Sequence, residues 1–77
     1  MMGVRDFDAN RTYRHVDSME LDIHIVKPSL MLADGSVVIE FMFVSKRTGN
    51  LFSYTKFPKI ERAVIKSEHR QYWSKLR

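Results

Sequence analysis

The order of apolar and polar segments between positions 37 and 55 predicts a β-hairpin. Residues 37–45 and 51–55 are rich in β-branched and aromatic side chains, and a short polar segment separates them. Gly49 is expected to take the left-handed conformation in that segment, because glycine has no Cβ to clash there. The pattern therefore places two antiparallel strands near the centre of the chain.

A three-residue loop at residues 47–49 would set the register of this hairpin and sort its side chains into two faces. Glu40 then pairs with Lys56, and Phe41 pairs with Thr55. The better core face carries Ile39, Phe41, Phe43 and Phe57, and the opposite face carries Met42, Val44, Phe52 and Tyr54. The opposite face needs a cover, which is either the C-terminal segment of the chain or a partner protein, a second copy included.

A second hairpin is predicted before the first. From position 19 to position 25, apolar and polar residues alternate, as in a strand with one buried and one solvated face. The buried face would carry Met19, Leu21, Ile23 and Ile25, and the solvated face would carry Glu20, Asp22 and His24. Pro28 lacks an amide hydrogen and is expected to end that strand, and the Asp34-Gly35 pair marks the turn into the next.

The C-terminal segment leaves two interpretations open. Residues 60–76 fit one amphipathic helix. Alternatively, residues 62–66 form a short strand, and Ser67 caps a helical turn that follows. The β-branched pair Val64 and Ile65 favours the second interpretation.

These elements predict a mainly β domain over residues 13–77, in which a small antiparallel sheet curls into a barrel with a short C-terminal helix. The alternative is an α+β arrangement of three antiparallel strands and one C-terminal helix. Residues 1–12 show no periodicity and are expected to form a frayed terminus or flexible arm, unless Phe7 anchors it.

Three short motifs add a family resemblance. They are residues 13–18 before the first long strand, the glycine-bearing hairpin, and Val64-Ile65-Lys66 with Trp73 seven residues later. Together they resemble small SH3-like β-barrels, and the chain also resembles small proteins of tailed bacteriophages, cyanophages included. The resemblance covers residues 13–76 and implies a barrel but no activity, since such barrels host many binding functions.

Composition limits the class of protein. The chain has 77 residues and no cysteine, so neither a disulfide framework nor a thiolate zinc site supplements its small core. Hydrophobic residues make up 44% of the chain, and no apolar run approaches the length of a bilayer span. We therefore expect a globular protein of the cytoplasm, or of the host cytoplasm if it is viral, with no membrane partner.

Charge is distributed unevenly along the chain. The net charge is +4, but residues 1–45 carry −3 and residues 46–77 carry +7. A basic half indicates an anionic partner, either nucleic acid or an acidic protein surface. The candidate nucleic-acid contacts are six cations and one ring, namely Lys46, Arg47, Lys56, Arg62, Lys66, Arg70 and Tyr54. Trp73 is expected to fill the core instead.

Catalytic chemistry has little support in the sequence. His15, Asp17, Glu20, Asp22 and His24 are the candidate metal ligands, but they show no spacing typical of a metal site. No serine has a recognisable neighbouring base, and the glycines form no phosphate-binding loop. We predict a non-enzymatic module without metal or cofactor that binds nucleic acid through its basic half. The alternative is a protein-interaction module, such as a phage accessory protein or a homodimer, that acts through Met42, Val44, Phe52 and Tyr54.

Overall fold

The computed structural model describes residues 6–49 and 59–76, which form one antiparallel sheet of six strands. The strands are β1 (Thr12–His15), β2 (Leu21–Ile25), β3 (Leu30–Met31), β4 (Val37–Ser45), β5 (Glu61–Ile65) and β6 (Trp73–Lys75). A 3-10 helix, Ser67–Tyr72, connects β5 to β6. The prediction of a mainly β fold is confirmed.

β4 is an interior strand of the sheet, because both of its edges are paired. Ile25 of β2 and Glu61 of β5 both lie opposite Phe41, so β2 and β5 take opposite edges of β4. β3 continues the β2 edge beyond an interruption at Pro28, and the turn from β3 to β4 contains Gly35 with a φ of +88°. The second hairpin predicted from the sequence is thereby confirmed, and the sheet runs β5, β4, β2, β1, β6 from edge to edge.

The hairpin predicted at residues 37–55 is confirmed in its first strand and in its turn glycine. β4 matches the predicted apolar run, and Gly49 has a φ of +74°. The predicted second strand, residues 51–55, lies outside the described residues, as do the predicted site residues Phe52, Tyr54 and Lys56 and the predicted core residue Phe57.

The predicted register of that hairpin is wrong for the first half of β4. Arg62 lies opposite Glu40, where Lys56 was expected, and Phe41 likewise lies opposite a residue of β5. The physical cause is packing, since pairing with β5 brings Ile65 into the core beside β4.

The interpretation of the C-terminal segment as a strand followed by a helical turn is confirmed. The ladder to β4 holds Val64 and Ile65 in an extended conformation, so residues 60–76 do not form one helix. The predicted cap is wrong by one residue: Lys66, not Ser67, occupies the N-cap position, and no side chain caps the helix there.

The sheet does not close into the predicted barrel. β6 pairs with β1, and within the described ranges no ladder joins β6 to β5. Among the described strands, β5 and β6 are therefore the two edge strands of an open sheet, and the 3-10 helix runs from one to the other.

The core lies on one face of the sheet. Its buried members are Phe7, Tyr13, Ile23, Ile25, Val37, Ile39, Phe41 and Ile65, with Phe43, Ala63 and Trp73 packed against them. Ile39 and Phe41 are buried as predicted. Met19, which was predicted on the buried face of the first long strand, is 87% exposed because β2 begins only at Leu21.

Phe7 anchors the N-terminal segment in this core. Its side chain is 1% exposed, and its ring centroid lies 4.7 Å from that of Tyr13 and 5.9 Å from that of Trp73. Its backbone N–H donates to the Ser29 hydroxyl at 3.1 Å. Phe7 thus ties its segment to the core, which is the anchoring that the sequence left open, and residues 1–5 lie outside the described part of the chain.

Candidate nucleic-acid interface

The cations predicted to contact phosphate do not lie together on the sheet. Lys46 and Arg47, the turn cations, follow the last residue of β4. Lys66 follows the β5 residue that pairs with Val37, the first residue of β4. The two ends of this strand are separated by about 26 Å at roughly 3.3 Å per residue. The cations at the two ends of β4 are therefore too far apart to contact the same phosphate group.

Lys46 has a structural role at its end of the sheet. Its ammonium group donates to the Ser18 carbonyl at 3.1 Å, and its backbone N–H donates to the Glu20 carbonyl at 2.8 Å. These bonds tie the end of β4 to the segment that leads into β2. Arg47 is exposed beside it.

Arg62 and Lys66, the β5 cations, project from the same side of the chain. Arg62 and Val64 lie on the exposed face of β5, and Lys66 continues the alternation because its backbone is extended, with φ −64° and ψ 147°. Alternate residues of a strand are about 7 Å apart, so Val64 stands between two positive charges. Arg70 lies in the last turn of the adjacent 3-10 helix.

A groove opens where the two edges of the sheet fail to meet. Its volume is about 660 Å³, within the usual range for ligand sites. We call it the ring groove after its lining, which consists of His15, Val16, Asp17, Val64, Ile65, His69, Tyr72 and Trp73. It therefore brings together the end of β1, the edge strand β5, the 3-10 helix and the start of β6.

Four of these lining side chains carry flat rings. The His15 ring centroid lies 4.8 Å from Trp73 and 6.0 Å from Tyr72, and the His69 centroid lies 6.1 Å from Tyr72. These pairs are inclined at 76°, 51° and 40°, so none of the three is a face-to-face stack. Tyr72 is 44% exposed, whereas Trp73 is half-buried against Phe7 and joins the core edge as well as the groove.

Hydrogen bonds fix the wall of the ring groove formed by β1. The Val16 N–H donates to the Tyr72 carbonyl at 2.8 Å, which extends the ladder between β1 and β6. The Asp17 N–H donates to His15 Nδ1 at 3.0 Å. Because Nδ1 accepts this bond, the neutral His15 ring carries its proton on Nε2 and has a donor there.

Asp34 interacts electrostatically with Lys66, one of the two β5 cations. Its carboxylate accepts the Ser36 backbone N–H at 2.9 Å, and this bond, with help from the Ser36 hydroxyl, lowers the pKa of Asp34. The charge of Lys66 lowers the same pKa further. Lys66 therefore lies within electrostatic reach of one carboxylate.

The acidic and histidine row of β2 is used for structure. Asp22 is 4% exposed and accepts two bonds of 2.9 Å from the Arg14 guanidinium, which raise the pKa of Arg14. His24 Nδ1 lies 3.1 Å from the Thr12 hydroxyl. Across the residues described, no three His, Cys, Asp or Glu side chains converge as metal ligands.

The apolar face predicted as a protein interface is only partly exposed. Val44 is 6% exposed, so it is not available to a partner, and Met42 is half-buried. Exposed apolar surface lies instead at the other end of β4, where Leu30, Val38 and Val64 form one row across β3, β4 and β5. Leu30 is 63% exposed and Val64 is 57% exposed.

The sequence patterns did not indicate the ring groove. His69 and Tyr72 are three residues apart, which is the period of a 3-10 helix, and this spacing was the one local signal that they share a side. His15 comes from a distant strand. Only the ladder between β1 and β6, in which His15 lies opposite Trp73, brings it to the groove.

Comparison with family models, curated proteins and solved structures finds no match to this chain. Among the described residues there is no helix with the length and apolar character needed to span a membrane. Function is therefore inferred from the ring groove and the charges around it.

Proposed function

We propose that this protein is a non-enzymatic nucleic-acid-binding module whose phosphate contacts are centred on the β5 cations. The observation that carries the proposal is that Arg62 and Lys66 flank Val64, a lining residue of the ring groove. Cations beside a groove with exposed rings are the combination that nucleic-acid-binding surfaces use.

The distances between the basic residues support a site that includes the cations near β5 and omits those in the turn after β4. Arg70 adds a third cation in the 3-10 helix that follows Lys66. Lys46 and Arg47 follow the other end of β4, which is about 26 Å along the strand from the end beside Lys66 and about 17 Å from Glu40, the partner of Arg62. Lys46 already uses its ammonium group to hold the Ser18 carbonyl. The turn cations are therefore the natural comparison group rather than part of the site.

Binding of labelled single-stranded and duplex DNA and RNA, measured by fluorescence anisotropy at several salt concentrations, tests the proposal. Affinity should fall as salt rises, because phosphate binding releases counterions. The double variant Arg62→Gln with Lys66→Gln should weaken binding to single strands and reduce the slope of log affinity against log salt by about 1.4.

The matched control removes the same charge at the other end of the sheet. Lys46→Gln with Arg47→Gln should leave the salt slope nearly unchanged, although it also loses the bond to Ser18. Absence of binding to any of the nucleic acids at about 50 mM salt would sink the proposal, and so would equal effects of the two double variants.

A protein-interaction module is the second candidate function, favoured by the apolar row of Leu30, Val38 and Val64, in which Leu30 and Val64 are exposed and Val38 is half-buried. Apolar side chains in adjacent positions of three strands form a continuous patch, which is typical of an interface, and a second copy of the chain is the simplest partner. In this case light scattering should give a mass that rises with protein concentration.

Leu30→Asp tests the second candidate, because a carboxylate in the patch opposes burial against a partner. Met19→Asp is the control, since Met19 is an exposed apolar residue far from the row. A constant monomer mass for the unaltered protein, or an equal effect of the two substitutions, would count against dimerisation through this face.

A further inference from the structure

We infer that the ring groove binds the unpaired bases of a single-stranded nucleic acid, with Tyr72 and His15 as the stacking surfaces. This inference rests on the proposed function and specifies which form of nucleic acid is bound and where its bases lie. It follows from the arrangement of the rings, the hydrogen bonds in the wall of the groove and the position of the β5 cations.

The rings are arranged to receive a further flat ring. Tyr72 is 44% exposed, and its two ring neighbours in the groove, His15 and His69, are inclined to it at 51° and 40° with centroids about 6 Å away. Stacking requires a parallel neighbour in van der Waals contact, and neither histidine supplies one. Among residues 6–49 and 59–76, the Tyr72 ring thus has no face-to-face partner within the groove.

Hydrogen bonds also hold part of the groove wall. The Tyr72 carbonyl accepts the Val16 N–H, which fixes the backbone that carries the Tyr72 ring, and His15 Nδ1 accepts the Asp17 N–H, which orients the His15 ring itself. A ring that is already oriented, as that of His15 is, loses little conformational entropy when a base stacks on it, which favours affinity. The Nε2–H of neutral His15 is in addition a donor to the acceptor atoms of bases.

The position of the charges favours a single strand over a duplex. Arg62 and Lys66 lie about 13 Å apart along β5, on either side of Val64, so a backbone that follows the strand passes the groove while its phosphates meet both cations. In a duplex the bases are stacked and paired inside the helix and cannot reach the rings, whereas the bases of a single strand can turn into the groove.

The test uses the full chain with labelled single strands of ten thymidines and of ten uridines, a duplex of equal length, and an abasic strand with the same number of phosphates. Tyr72→Leu keeps an apolar side chain but removes the flat ring. It should weaken binding of the single strands by about 5- to 150-fold, as expected for the loss of one stacked base, and leave the salt slope unchanged.

Tyr72→Phe is the matched control, since it keeps the ring, and it should bind within about twofold of the unaltered protein. Trp73 is the only tryptophan of the chain and lines the groove, so its fluorescence reports the site directly. Its emission should change with either single strand and stay constant with the abasic strand. Circular dichroism confirms that each variant is folded.

Three results would overturn base stacking in the ring groove: equal affinity for the abasic strand, equal affinity for the duplex, or no effect of Tyr72→Leu. If binding persists in any of these cases and still depends on Arg62 and Lys66, the proposed function stands and only the inference fails. If no nucleic acid binds at all, both fail.

Discussion

The carboxylate of Asp22 lies 4% exposed on a strand position that its sequence pattern assigns to solvent. Two hydrogen bonds from Arg14, on the neighbouring strand β1, make this burial possible. A buried charge is tolerated when a charged partner and good geometry replace its hydration. At the scale of single residues, a partner in another strand therefore decides whether a polar side chain is solvated.

The Arg14–Asp22 pair yields a prediction about the order of two substitutions. Arg14→Met should lower the free energy of unfolding more than Asp22→Asn, because the first leaves a carboxylate buried without its partner and the second leaves a neutral amide that can still accept a bond. Urea denaturation of both variants and of the double variant measures the order and the coupling. Equal losses for the two single variants would contradict it.

Asp34 predicts a specific pH dependence. Folding lowers the pKa of Asp34, chiefly through the bond from the Ser36 N–H. The ionised carboxylate therefore stabilises the folded state at pH values above the unfolded pKa of about 3.9. This contribution is lost as the pH falls through the lower pKa of the folded state. The advantage in melting temperature over Asp34→Asn should be constant above about pH 5 and shrink toward pH 3. An advantage of the same size at both pH values would refute this account.

At the scale of elements, the turn from β3 to β4 and the 3-10 helix constrain each other. Gly35 has a φ of +88°, and a Cβ added there would lie 3.3 Å from the Cβ of Ser67, the first residue of the helix. Gly49, in the turn after β4, has a φ of +74° but no atom within 4 Å of an added Cβ. Comparing the same substitution at the two glycines therefore separates the cost of backbone strain from the cost of steric contact.

Gly35→Ala and Gly49→Ala should both destabilise the protein, and Gly35→Ala should do so more. The left-handed backbone alone costs an alanine about 1–2 kcal/mol, which is the expectation for Gly49. Gly35→Ala adds the contact with Ser67, so combining it with Ser67→Gly should recover that added part. Thermal unfolding of the variants checks this, and equal losses at the two glycines would show that the turn and the helix do not press on each other.

At the scale of the whole molecule, Phe7 joins the N-terminal segment to both ends of the remaining chain. Its ring contacts Tyr13 of β1 and Trp73 of β6, so it seals the core at the side of the sheet where β1 and β6 pair. A domain of this size has a small stability margin, about 4–12 kcal/mol. One buried aromatic side chain is a large part of that margin.

Phe7→Ala should cost about 3–5 kcal/mol, the usual range for removing a buried phenylalanine. Phe7→Leu, which keeps most of the apolar volume, should cost clearly less. Urea denaturation followed by circular dichroism measures both. Unchanged stability of Phe7→Ala would mean that residues 6–12 contribute nothing to the folded core.

The arrangement of strands in the whole sheet also explains why the site was only partly predictable from the sequence. The sequence alone predicted Arg62, Lys66 and Arg70 as contacts, because the number and position of charged residues can be taken directly from it. It did not predict the distance of these residues from Lys46 and Arg47, since that distance depends on which part of β4 each group lies beside.

The sequence by itself determined the local features of this protein. Apolar alternation set β2, and a run of β-branched and aromatic residues set β4. The absence of a Cβ set the left-handed turns at Gly35 and Gly49. Each of these signals acts within a few residues.

The tertiary structure alone decided the burial of Phe7 and Asp22, the edge of β4 taken by β5, and the meeting of His15 with Tyr72 in the ring groove. Each of these depends on pairing or packing between segments far apart in the chain. The free energy of such contacts comes from apolar surface and hydrogen bonds shared between strands, which no local pattern records.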